Sequence, residues 1–280
     1  MVMWPCGTAR IAQHPHERLL AMTLRITPIG TDARLEACRC TLQAHAQTLC
    51  AAYPSVHTLY ILPIPSSRDG VHVNSTETPL LSLVAPDTVA VGYGLPHAFT
   101  DAMEQAGAQT VDVAADEAFT QDNAYLTALA TLSYLLNRLP RAPHELSVGI
   151  VGYGRIGRAL CRLLVPLGAR LRVYTRRPEV RTALGGCGIE SADSGSDTPL
   201  DFTALDVLIN TAPARGLIHA RCTGLPPVIL ELASGDTIAE DVPHVTLPSL
   251  PARSFPYSAG VAYARCVLRA ADAARATDKP

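Results

Sequence analysis

Three glycines in the run Gly152-Tyr153-Gly154-Arg155-Ile156-Gly157 stand at the G-x-G-x-x-G spacing, which suits a loop that cradles a phosphate ester. Alone, the pattern is weak, because glycines gather in loops by chance. Here it follows an apolar run, Leu146 to Val151, and opens a segment, Ile156 to Leu167, whose apolar residues fall at helical spacing. A second apolar run, Leu171 to Tyr174, ends about 20 residues on, which completes the context that makes the pattern specific. In a strand–turn–helix unit Gly152 permits the tight turn, Gly154 lets the backbone approach a pyrophosphate, and Gly157 lets helix and strand pack closely. The helix start at Arg155-Ile156 then offers free N–H groups and a positive dipole end to the phosphates.

The residues after the second strand bear on which dinucleotide fits. A carboxylate there would accept the ribose 2′-OH of NAD, but this chain has Thr175-Arg176-Arg177. A hydroxyl and two guanidinium groups bind a 2′-phosphate that a carboxylate would repel, so NADP is favoured, with NAD possible. The other reading is a pair of solvated arginines at a helix start. Further on, Asn210-Thr211-Ala212-Pro213 and Glu231-Leu232-Ala233-Ser234-Gly235 each follow an apolar run. At the carboxyl edge of a parallel sheet, Thr211, Ala212, Pro213 and Ala233 would border the nicotinamide ribose. Glu231 either caps the sheet or pairs with an arginine.

These groups need a scaffold, and the whole chain reads as alternating strands and helices. Strands are predicted over Leu24 to Ile29, His57 to Leu62, Thr88 to Val91 and Thr110 to Val113, with helices over Asp32 to Leu49 and Pro96 to Ala106. A linking helix is predicted from Asn123, capped by Asp122 or Asn123, to Leu139, where Pro140 stops it. Beyond the glycine unit, strands are predicted at Val207 to Ile209, Val228 to Leu232 and Val245 to Leu247. A last helix, Ala259 to Ala274, is expected to cross back to the first half. Such alternation implies parallel strands with right-handed crossovers. The expected fold is α/β: two Rossmann-like domains with parallel doubly wound sheets, joined by a long linking helix. The boundaries are an N-terminal α/β domain for substrate or partner over 22–120, a dinucleotide-binding domain over 121–258, and a C-terminal helix over 259–280.

The 48 % hydrophobic and 17 % charged content of the 280 residues is that of a globular protein. A formal charge of −2 gives no electrostatic reason to expect a nucleic-acid partner. The eight cysteines include no pair at the two-residue gap of zinc and redox sites, so no metal site is expected and free thiols in the cytoplasm are the simplest reading. No run approaches the roughly 18 apolar residues of a membrane span. Residues 1–21 include Arg10, His14, His16, Glu17 and Arg18 and do not read as a secretory signal. They are expected to be a disordered extension, with Met22 as the alternative start.

Taken in order, several of these segments resemble the dipicolinate synthase family, in the first of that enzyme's two kinds of polypeptide. They are Ile29-Gly30-Thr31-Asp32-Ala33-Arg34, Pro63-Ile64-Pro65-Ser66-Ser67-Arg68-Asp69-Gly70, the glycine motif, Asn210-Thr211-Ala212-Pro213, Leu230-Glu231-Leu232-Ala233-Ser234, and Leu247-Pro248 through Pro256-Tyr257-Ser258-Ala259-Gly260. The resemblance covers nearly everything after Met22. It implies oxidation of a dihydrodipicolinate-type ring to pyridine-2,6-dicarboxylate during spore formation, with hydride passing to NAD(P), beside the family's second, flavoprotein-like polypeptide. A dicarboxylate substrate calls for guanidinium or hydroxyl donors, and Ser66, Ser67, Arg68, Arg253 and Tyr257 are the candidates. No catalytic residue is assigned, and a homo-oligomer is possible. Two segments depart from the family. Gln121-Asp122-Asn123-Ala124-Tyr125-Leu126-Thr127 lacks the proline, glutamate and glycine of its Asn-x-x-Pro-Thr-x-Glu-Gly stretch, and Pro256-Tyr257-Ser258-Ala259-Gly260 replaces Pro-Lys-Thr-Ala-Gly. Two other readings stay open: a 2-hydroxyacid-type dehydrogenase, for which Arg215 and His219 are the nearest Arg and His, and a non-catalytic NADP-binding regulatory protein.

Overall fold

A computed structural model of the chain describes residues 24–195, 198–233, 235 and 237–277. The expected N-terminal extension lies outside the described residues. Two parallel sheets carry the fold, and each is made of short strands rich in β-branched residues that are buried where the sheet is covered on both faces.

The first sheet has four strands in chain order: β1 (Arg25–Pro28), β2 (Thr58–Ile61), β3 (Thr88–Gly92) and β4 (Gln109–Asp112). Between β1 and β2 the single helix expected from the sequence is two, α1 (Arg34–Ala44) and α2 (Ala46–Ala52), separated at His45, whose φ of −115° and ψ of 24° leave the helical region. Helix α3 (His97–Gln105) joins β3 to β4, and a 3-10 turn over Leu80–Leu83 lies between β2 and β3. Leu59, Ile61, Val89 and Val91 pack with α1 and α2, while Leu62 and Ala90 pack with α3 and the 3-10 turn. All three connections step the same way across the sheet, yet the first lies on one face and the other two on the opposite one. The first is therefore opposite in hand to the others, an exception to the uniform right-handed crossovers expected. What holds α1 on its face is the C-terminal helix, α8 (Pro256–Thr277), which does cross back to the first half. The two helices meet so closely at Gly260 that a Cβ there would lie 2.4 Å from the Arg34 carbonyl oxygen.

The linking helix, α4, runs from Glu117 to Arg138 and so begins six residues before the expected Asn123. Its cap is Asp116, whose carboxylate accepts the Phe119 N–H at 2.7 Å. The same carboxylate receives both Nε and Nη2 of Arg269 at 2.8 Å, which ties α8 to the start of α4.

Six strands form the second sheet: β5 (Ser147–Val151), β6 (Arg170–Tyr174), β7 (Glu190–Ala192), β8 (Val207–Asn210), β9 (Val228–Glu231) and β10 (Val245–Thr246), in the order β10-β9-β8-β5-β6-β7. Helices α5 (Arg155–Leu164) and α6 (Pro178–Gly186) share one face with α4 and the short α7 (Leu250–Ser254). The other face is covered by Leu200, Phe202, Ile218, Ile238 and Val242 from the loops. The order reverses between β5 and β8, so a crevice opens at their carboxyl ends. Among the described residues no helix is long and apolar enough to cross a membrane.

Candidate functional site

The glycine loop leaves β5 at that reversal, and each glycine has a different neighbourhood. Gly152 turns the chain with φ of +94°, and a Cβ on it would meet Thr211 Oγ1 at 2.8 Å and the Ala212 nitrogen at 3.1 Å. On Gly157 a Cβ would sit 2.3 Å from the Gly152 carbonyl oxygen. Gly154 is open, with nothing within 4 Å of an added Cβ. The two outer glycines thus serve packing within the chain, and the middle one faces free space.

Gly154 is also the N-cap of α5, and no side chain of the described residues caps that helix. The first of its N–H groups to find a carbonyl is that of Arg158, which donates to Gly154 O at 3.0 Å. A helix start left in this way, behind an open glycine, fits a pyrophosphate: donors, dipole and room for close approach coincide.

Around the loop the second sheet supplies three further groups. Thr211 Oγ1 donates to the carbonyls of Val151 at 3.0 Å and Gly152 at 3.2 Å, so β8 holds the turn of β5. After β6, Thr175 is buried, and its hydroxyl accepts the Arg177 N–H at 3.4 Å. The exposed Arg177 reaches back and donates from Nη2 to the Tyr153 carbonyl at 2.6 Å, which sets its guanidinium against the glycine loop. Arg176 is exposed beside it, and among the described residues neither arginine has a carboxylate partner.

Glu231, at the end of β9, is 1 % exposed and among the described residues pairs with no arginine; it accepts from Asn210 Nδ2 at 3.1 Å, Thr237 Oγ1 at 2.6 Å and the Ala233 N–H at 2.8 Å. Of the two roles open to it, it fills the capping one. Asn210 in turn takes the Ala212 N–H at 3.1 Å. One buried carboxylate therefore links both loops that border the crevice: Thr211 and Ala212 lie against Gly152, Ala233 is tied to Glu231, and Arg177 reaches the loop through Tyr153. Pro213 follows Ala212 on the exposed side.

The substrate candidates do not gather in this way. Ser66 is fully buried, its hydroxyl accepts the Tyr93 N–H at 2.6 Å, and it shapes its own loop. Ser67 bonds to Asp69 Oδ1 at 3.1 Å within a turn, where the same carboxylate accepts the N–H groups of Val71 and His72. Arg68 is exposed in that loop, whereas Arg253 is exposed on α7 and Tyr257 on the first turn of α8. Among the described residues no hydrogen bond or ion pair joins the two groups. Arg215 is exposed and His219 takes the Arg221 N–H at 3.2 Å, so nothing among the described residues aligns the pair. A cleft of about 470 Å³ lined by Arg172, Tyr174, Glu190 and Asp201 lies on the sheet face opposite α5.

Two groups at the loop were missed in the sequence. Glu117, the first residue of α4, receives Arg155 Nε at 3.2 Å and Nη2 at 2.6 Å, and Gln121 Nε2 at 2.7 Å. The Arg155 guanidinium and the Gln121 amide hold its carboxyl down to about 2. Tyr93, just past β3, rests against Phe119 with ring centroids 6.5 Å apart. The start of α4 therefore touches the glycine loop through Glu117 and the first sheet through Phe119. The visible signals were Asp116 three residues before Phe119, a helix start, and a tyrosine-glycine pair ending an apolar run.

No family model matches this chain, and no curated protein sequence matches it significantly. Among solved structures it is similar to the dipicolinate synthase A chain from Bacillus subtilis, at 19 % identity and a TM-score of 0.70, over 91 % of this chain and 98 % of that one. The corresponding dipicolinate synthase chain from Bacillus halodurans aligns at 16 % identity and a TM-score of 0.66, over 88 % and 97 % of the two chains. A transhydrogenase from Sinorhizobium meliloti aligns at 17 % identity and a TM-score of 0.54, over 79 % and 75 %. The α/β fold with two parallel sheets is the fold these proteins share.

Proposed function

We propose that this protein is an NADP-dependent oxidoreductase that acts on a small cyclic dicarboxylate of the dihydrodipicolinate type. The observation that carries the cofactor half is the Arg177 guanidinium bonded to the Tyr153 carbonyl of the glycine loop, with no carboxylate at the end of β6. That leaves Arg176 and Arg177 as donors for a 2′-phosphate. The open Gly154 and the uncapped start of α5 would hold the pyrophosphate, and Thr211, Ala212 and Ala233 would border the nicotinamide ribose.

The nicotinamide supplies a hydride acceptor. The chain's own part is to bind and orient: a dihydropyridine dicarboxylate loses one hydride and one proton as it becomes aromatic, and aromatisation itself favours the step. A modest base that passes the proton to solvent then suffices in place of a strongly tuned acid–base pair. The substrate half of the proposal rests on the likeness in overall fold to the two dipicolinate synthase chains and on the ordered motifs. The same resemblance points to spore formation and to a flavoprotein-like partner polypeptide, with co-purification as its test.

The deciding experiment is absorbance at the reduced-nicotinamide band with dihydrodipicolinate supplied together with NADP or with NAD. Growth of the band with NADP supports the proposal. Binding of NADP without turnover favours a regulatory protein, and turnover of a 2-hydroxyacid instead favours that class of dehydrogenase.

A further inference from the structure

Arg155 is the first residue after the open glycine, so its side chain starts at the point where a pyrophosphate would lie against α5. Its guanidinium is nevertheless engaged elsewhere: Nε and Nη2 form a two-pronged pair with Glu117. Glu117 belongs to the helix that links the two sheets, 38 residues earlier in the chain, and is held in place by Gln121 Nε2 at 2.7 Å. Both partners are solvent-accessible, with side chains 47 % and 63 % exposed, so this is an exchangeable pair. We infer that Glu117 is an internal competitor for the dinucleotide: it occupies Arg155 while the glycine loop is empty, and the pyrophosphate takes Arg155 from it. This rests on the proposed dinucleotide site. It adds that cofactor affinity is held down by a carboxylate on the linking helix, outside the glycine-loop unit.

Three features carry it. Glu117 takes the Nε–Nη2 edge of Arg155, and an anion that needs that edge of the guanidinium cannot share it. The carboxylate lies beside the start of α5, which has no side-chain cap among the described residues. Glu117 itself makes no bond to the glycine loop other than through Arg155, its remaining partners, Gln121 and Thr120, lying on its own helix.

The test is a set of dissociation constants at fixed salt for NADPH, NADH and adenosine 2′-monophosphate, which lacks the pyrophosphate. The proteins are wild type, Glu117→Gln, Arg155→Gln and the double variant. Since the pair is solvent-exposed and weak, Glu117→Gln should tighten the dinucleotides only on the order of two- to fivefold. Adenosine 2′-monophosphate should be unmoved, and in the Arg155→Gln background the Glu117 substitution should have no effect. Equal tightening of adenosine 2′-monophosphate, or an effect that survives loss of Arg155, would mean that a negative charge had merely been removed, and would overturn the inference. So would dinucleotide binding that stays the same or weakens in Glu117→Gln. Failure of wild type to bind either dinucleotide would instead overturn the cofactor reading, and the inference with it. Gln preserves the helix start, and thermal midpoints of all four proteins check that each is folded.

Discussion

Alanine at Gly154 and alanine at Gly157 differ by one methyl group each from the wild type, and the structure assigns them opposite consequences. On Gly157 the methyl carbon would fall 2.3 Å from the Gly152 carbonyl oxygen and 3.4 Å from Thr211 Oγ1. The clash is with backbone, so α5 or the turn must shift. Overpacking of this kind costs about 1–3 kcal/mol or more, against about 1 kcal/mol regained by replacing glycine inside a helix. A net loss of about 1–2 kcal/mol should lower the thermal midpoint by about 2–8 °C. On Gly154 nothing lies within 4 Å, and its φ of −82° and ψ of −158° are open to alanine. The entropy gained by removing a glycine and the weaker cap of alanine each amount to less than about 1 kcal/mol and oppose one another, so the midpoint should barely move.

Cofactor affinity reverses the ranking. A methyl group on Gly154 would hold the pyrophosphate off the α5 N–H groups, and loss of even one charge-assisted bond, about 1.5–3 kcal/mol, is a loss of at least tenfold. Differential scanning fluorimetry without ligand and NADPH titration on the same preparations give both numbers. If Gly154→Ala binds NADPH as wild type does, the assignment of this loop to the pyrophosphate is wrong. A drop in its midpoint as large as that of Gly157→Ala would show that Gly154 serves packing.

Removing both Arg176 and Arg177 should weaken NADP by on the order of 100-fold and leave NAD nearly unchanged, because only NADP carries the 2′-phosphate; a constant ratio of the two dissociation constants would refute the NADP reading. Adding Thr175→Asp to that variant should turn the preference toward NAD. Asp116, held down to about 2 mainly by Arg269, ionises below its unfolded value, so its contribution is complete above about pH 4 and is lost as the pH falls toward 2. The midpoint gap between wild type and Asp116→Asn should therefore close on acidification, and a gap constant from pH 6 to pH 2.5 would contradict the ion pair. Glu231→Gln would present an amide N–H₂ to donors that now meet carboxylate oxygens, at about 1–3 kcal/mol, and should lower both the midpoint and NADPH affinity. Loss of neither would remove Glu231 from its role in holding the two loops.

What the sequence made legible follows the range over which each signal acts. The glycine unit was readable because the turn, the close approach and the helix start are encoded within a dozen adjacent residues. The strands were readable because buried parallel strands are apolar runs, and β5, β8 and β9 all fall where such runs lie. Three elements went unseen: α6, over Pro178–Gly186, has a single buried residue, Leu184, β7 is three residues with none buried, and α7 is only five residues long. The start of α4 was misplaced because Asp122 and Asn123 are residue types that cap helices, whereas Asp116 is what accepts the Phe119 N–H. Hand and contact are a different matter. That the β1–β2 connection lies on the opposite face from its neighbours depends on α8, more than 200 residues away in the chain, and no local pattern carries that.

The two sheets are built alike, and what separates them is the fate of the N–H groups at their carboxyl ends. At the first sheet the chain's own side chains take many of those groups. Asp112 accepts from Gly94, Leu95 and Ala114, Ser66 from Tyr93, and Asp32 from Arg34 and Ile64. Each acceptor is a short polar side chain at or beyond a strand end. At the second sheet Asn210 and Glu231 close the loops after β8 and β9 in the same manner. Between them the turn after β5 has glycine where such an acceptor would stand, and α5 starts without a cap among the described residues. An N–H group that no side chain takes is left to solvent or to a ligand, and an anion is the ligand that a helix start prefers. The proposed site is therefore marked as much by the acceptor missing from Gly154 as by the glycines present.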